Sequence, residues 1–123
     1  MPAYQDYIAR TQMSEGVVLA SGQKSAVTEY HASNGAFPAN NTTAGVAAKD
    51  QINGKYVASV EIATGVITAT MKSAGVSKEI QGKKIIMTPT APAATAGSYT
   101  WACTSDAAQK FLPSSCTTTT TSP

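Results

Sequence analysis

Residues 3–34 contain no proline, and Tyr4, Ile8, Glu15, Leu19, Gly22, Ala26 and Tyr30 recur along them with helical spacing. At 100° per residue these positions fall within about 80° of one another, which predicts a single amphipathic helix over 1–34. Asp6, Arg10, Ser21, Lys24 and Thr28 lie on the opposite side, where Asp6 and Arg10, four residues apart, are placed to pair. Asn34-Gly35 supplies a C-terminal stop. Gly16 and Gly22 each weaken a helix by up to about 1 kcal/mol relative to Ala, so a break, if one forms, is expected near Gly16. About 32 residues at 1.5 Å each make a rod of roughly 48 Å, against about 35 Å across a compact chain of this size. Part of the rod is therefore expected to protrude, and Tyr4, Tyr7 and Ile8 near its start to need cover from other chains.

Beyond residue 34 the pattern changes. Residues 35–54, GAFPANNTTAGVAAKDQING, carry few large apolar groups and read as a long connection with a little structure of its own. Over 55–62, Tyr56, Ala58, Val60 and Ile62 alternate with Val57, Ser59 and Glu61, and Ala63-Thr64-Gly65 offers a short reversal into 66–72, so a hairpin is predicted. Residues 83–88 and 98–103 predict two more strands, separated by 89–97, where Pro89, Pro92 and small residues are expected to bar regular pairing. The fold class is α+β: a long helix packed on a four-stranded antiparallel sheet spanning 55–103. The run TTTTTSP over 117–123 is of low complexity and reads as a flexible tail. At 123 residues the whole reads as one domain, 1–123.

Composition narrows the function. Only 13% of residues are charged, and nine Lys+Arg against seven Asp+Glu leave a net charge of +2. That is too weak and too scattered for a face that binds a phosphate backbone, so no strong nucleic-acid signal is present. Catalytic chemistry is equally thin. His31 is the sole histidine, without Cys or acidic neighbours at ligand spacing, and reads as a helix-end residue. The acidic residues are scattered singly, and the phosphate-loop, dinucleotide and nucleophile-elbow motifs are absent, so the chain reads as a non-enzyme that uses no cofactor and no metal. Glu15, inside the apolar stripe, is expected to reach water at the helix edge. Asn40-Asn41-Thr42-Thr43 contains two overlapping glycosylation patterns of the kind that Asn/Thr-rich loops hold by chance. Lys83-Lys84 reads as a solvated strand end.

Cys103 and Cys116 enclose TSDAAQKFLPSS after a strand that carries Trp101. Their spacing suits neither a metal nor a redox pair, and in a Thr-rich, weakly charged chain it fits an exported protein with a disulfide. Closing such a loop contributes about 3 kcal/mol in the chain-entropy model. A closed ring also loses little entropy on docking, which makes it a candidate contact for a surface receptor.

These residues carry a family resemblance. Pro2-Ala3-Tyr4-Gln5-Asp6-Tyr7-Ile8-Ala9-Arg10-Thr11-Gln12 resembles the helix segment that follows the hydrophobic stem in type IVa pilins. Trp101 to Cys116, with the pattern W-x-C-T-S-D-x-x-x-x-F-x-P-x-x-C, is similar to the C-terminal disulfide loop of major pilins whose loop is short. The resemblance implies a pilin fold with a helix over 1–34, an αβ loop over 35–54, a sheet over 55–103 and a disulfide loop over 103–116. It implies a preceding apolar stem that anchors the subunit in the inner membrane before assembly and forms the fibre core afterwards, Met1 then being a replacement start. The implied partners are other pilin subunits, packed partly through Tyr4, Tyr7 and Ile8, the pilus assembly machinery, and a host-surface receptor met by Asp106, Phe111 and Pro113. Ser114 stands where a lysine often follows the proline, and Ser122 or Thr121 are the candidates for an O-glycan. The implied function is that of a structural subunit of a surface fibre serving adhesion, twitching motility, biofilm formation and DNA uptake. The alternative is a minor or competence pilin or a tip adhesin, while the two cysteines speak against a pseudopilin of a secretion system.

Overall fold

The computed structural model describes residues 2–92 and 98–119. Two helices open it, α1 over Pro2–Ser21 and α2 over Lys24–Asn34, and Gly35 ends α2 in the left-handed conformation at φ 78°. The long connection holds a short helix, α3, over Asn41–Ala44 and a 3-10 turn at Lys49–Gln51. Among the described residues five strands follow: β1 Val57–Ala63, β2 Val66–Met71, β3 Lys84–Thr90, β4 Thr100–Ser105 and β5 Cys116–Thr118. They form one sheet in sequence order, antiparallel except that β5 runs parallel to β4.

The predicted single helix is interrupted at Gly22-Gln23, not near Gly16. There the ladder tightens: Gly22 N–H donates to Val18 O, but Gln23 N–H reaches back only to Ala20 O, 3.0 Å away. Gly16 escapes because packing holds it. A Cβ at that position would lie 3.2 Å from Met71 Sδ and 3.3 Å from Ile85 Cγ1, so glycine lets α1 rest directly on β2 and β3. The exposed Gly22 has no such support.

The face that α1 buries also differs from the predicted stripe. Ala9, Met13, Gly16 and Ala20 are buried, and the line continues into Val27 of α2. This face is rotated by roughly 100°, about one residue, from that of Tyr4, Ile8 and Leu19. The physical reason is approach distance, since small side chains and one flexible methionine bring the helix backbone close to the sheet where Tyr and Leu would hold it away.

The sheet answers with Val60, Ile62, Ile67, Ala69, Met71, Ile85 and Met87, all on the helix side and nearly inaccessible. Val57 joins them although simple alternation with Val60 forbids it. A register irregularity between Val57 and Ser59 inserts one residue and flips the start of β1, leaving Ala58 exposed. β3 runs on through Pro89, which pairs with Trp101, so the predicted barrier to pairing fails there. At that point β3 has passed its last paired residue opposite β2 and has a neighbour on one side only, where proline is tolerated. Residues 117 and 118, expected in the tail, join Cys116 in β5, and 120–123, with the candidate acceptors Thr121 and Ser122, lie outside the described residues.

Candidate functional site

The outward face of α1 presents Tyr4, Tyr7 and Val18, which are 65%, 63% and 67% exposed. Thr11 and Ser14 lie between them, and each hydroxyl donates to the helix backbone of the preceding turn, Thr11 to Tyr7 O and Ser14 to Arg10 O, both at 2.9 Å. Their hydrogen bonds are thus made internally, and the stripe can lose water at little cost. Ile8 does not share it. It is half-buried and lines an open cleft of about 310 Å³ with Gln5, Ser77, Lys78 and Glu79. Val18 is the member that helical spacing from the predicted stripe did not reach.

The disulfide loop sits beside the same helix. Cys103 of β4 and Cys116 of β5 are bonded, their Cα atoms 4.6 Å apart as register partners in adjacent strands. Within the ring, Ala107, Phe111 and Leu112 turn inward and are buried, Phe111 with 3% of its surface exposed. Phe111, implied above as a receptor contact, therefore has its ring in the core beneath the loop, because the 3-10 turn Gln109–Phe111 aims it at α1. The Asp106 carboxylate is engaged too, accepting from Lys84 N–H at 2.8 Å at the start of β3. Pro113 is half-exposed, and the accessible rim consists of residues 108–110 and 114–115.

Asp6 and Arg10, expected to pair with each other, both reach this loop instead. Arg10 Nε donates to Lys110 O at 3.0 Å, and Lys110 Nζ lies 3.7 Å from Asp6. The exposed ion pair contributes little by itself, but together the contacts orient the rim relative to α1.

Glu15 departs most from its sequence reading. Instead of reaching water, its carboxylate accepts three backbone N–H groups at the entry to β1: Lys55 at 3.1 Å, Tyr56 at 2.8 Å and Val57 at 3.0 Å. A Cβ on Gly54 would fall 2.6 Å from the Glu15 carboxyl carbon, so only glycine leaves room for the carboxylate. His31 pairs through Nδ1 with the Tyr99 hydroxyl at 2.8 Å and lies against the Phe37 ring at 4.3 Å, tying α2 to the connection and to the start of β4. Asn41 is buried, with both ends of its amide bonded, which leaves no free nitrogen for a glycan, and Asn40 caps α3 by accepting from Thr43 N–H.

Among the described residues no three His, Cys, Asp or Glu side chains gather as a metal site, and no helix is long and apolar enough to cross a membrane. The arrangement offers surfaces: an apolar helix stripe and a rigid, covalently closed rim.

Comparison with known proteins points the same way. The chain is 54% identical over 120 residues to the fimbrial protein EcpC of Eikenella corrodens, covering 94% of this chain and 75% of that protein. It is 60% identical over 85 residues to the type IV major pilin protein PilE of Neisseria gonorrhoeae, covering 69% of this chain and 51% of the relative. Against the type IV major fimbrial protein FimA of Dichelobacter nodosus it is 36% identical over 134 residues, covering 92% and 79%. The chain spans about half the length of the Neisseria relatives it matches. Residues 9–117 match the family model for pilin, the bacterial filament protein, a span that runs from the buried Ala9 of α1 into β5, and the chain belongs to that family.

Proposed function

We propose that this chain is the globular part of a structural subunit of a type IVa pilus, a fibre at the bacterial cell surface, and that it acts by assembly and contact and not by catalysis. The observation that carries this reading is the stripe Tyr4, Tyr7 and Val18, large apolar groups left in water on a family helix whose opposite side is fully packed. Copies of the subunit stack with these stripes covered, guided by the assembly machinery and by an apolar stem preceding α1 that is anchored in the inner membrane before assembly. The disulfide rim then faces outward, where residues 108, 110 and 113–115 meet a host-surface receptor, with Phe111 and Asp106 shaping the rim from beneath.

The test uses the full gene product in a piliated cell. Tyr7→Ser combined with Val18→Ser is expected to abolish surface fibres seen by electron microscopy while the cellular amount of subunit stays unchanged. Fibres in normal number would overturn the proposal.

A further inference from the structure

Both edges of the sheet end in a side-chain amide bonded in the same way. At the β1 edge, Asn41 Nδ2 donates to Val60 O at 3.0 Å, while its Oδ1 accepts from Ile62 N–H at 2.7 Å. At the β5 edge, Gln109 Nε2 donates to Cys116 O at 2.8 Å, while its Oε1 accepts from Thr118 N–H at 2.9 Å. In each case one amide takes the carbonyl of residue i and the N–H of residue i+2. A residue of a neighbouring parallel strand meets its partner through the same two bonds, so each amide stands in for one residue of an extra strand.

The two edges differ in what else covers them. Beside β1, Glu15 holds the N–H groups at its start, and Ala39 O and Pro38 O accept from Thr64 and Gly65 at its end. Beyond β5, Pro113 O accepts from Cys116 N–H at 3.0 Å, no further strand lies among the described residues, and Gln109 is exposed. An open edge is a template for pairing with another chain, and a like edge from a second copy fits it through a twofold axis.

We propose that Gln109 seals the β5 edge against strand addition by a second copy of this chain, leaving the α1 stripe as the surface for self-association. The seal is a property of the isolated chain and stands whether or not that stripe is the filament contact.

The experiment compares the parent chain with Gln109→Met, which keeps the side chain's length and removes both polar atoms, and Gln109→Glu, which keeps the acceptor for Thr118 N–H and adds charge. Sedimentation velocity reads self-association, and amide exchange reads Thr118. Gln109→Met is expected to associate more strongly than the parent. Its Thr118 amide, when dilute, exchanges about tenfold faster, the net worth of one ordinary hydrogen bond, and becomes protected again as concentration rises. Gln109→Glu is expected to behave as the parent does in both measurements. The proposal is overturned if Gln109→Met associates no more than the parent, if its association leaves Thr118 exchange independent of concentration, or if Gln109→Glu associates as strongly as Gln109→Met.

Discussion

Glu15 shows how one side chain can be misread for a sound reason. A carboxylate within an apolar stripe ordinarily extends to solvent, yet here three N–H groups that β1 leaves unpaired at its entry converge on it, and hydrogen bonds to an ionised acceptor are among the stronger ones. Glu15→Ala is expected to lower the free energy of unfolding by about 3 kcal/mol in urea titrations, since it strands those donors. Gly54→Ala is expected to cost about 2 kcal/mol alone but much less in the Glu15→Ala background, because the three atoms nearest its added Cβ all belong to that carboxyl group. Equal cost in both backgrounds would refute the link. Nothing in the local sequence joins positions 15 and 54, so no spacing rule could have found the pair.

Among the elements, the disulfide loop is held by a core as much as by a bond. Phe111 plugs it from below, Gln109 ties its turn to β5, and Arg10 and Lys110 join it to α1. Phe111→Ala is expected to cost about 3–4 kcal/mol by opening a cavity under the loop, measured as a fall in the chemical denaturation midpoint with the disulfide intact. Replacing Cys103 and Cys116 together by Ser is expected to cost about 3 kcal/mol, since the strands that carry them are already paired. A Phe111→Ala variant as stable as the parent would show that the ring does not support the loop. The pairing of the two cysteines was legible because they are the only two in a chain of exported character. The inward turn of Phe111 was not, because in a short loop side-chain direction is set by the 3-10 geometry and by what lies opposite.

At the level of the molecule, one side of α1 stabilises the fold and the other is free to bind. Changing Tyr4, Tyr7 and Val18 together to Ser is expected to alter the unfolding free energy of the isolated chain by no more than about 0.5 kcal/mol per site, since each of these residues is mostly exposed in it. A loss of several kcal/mol, read from thermal or urea unfolding, would mean that the stripe already packs within one molecule.

The order of helix, long connection, strands and cysteine-closed loop was readable because periodicity, turn residues and cysteine count are local properties that every neighbouring residue reinforces. Packing decided the rest. Which side of α1 is buried was settled by how closely a helix can approach a sheet, a distance that small residues set and that hydrophobicity alone ranks wrongly. The fifth, parallel strand sets Cys116 at the register position beside Cys103, a contact across the loop that no run of three Thr-rich residues announces. Glu15 and Gln109 acquired their roles in the same way, from backbone groups that come within reach only once the chain has folded.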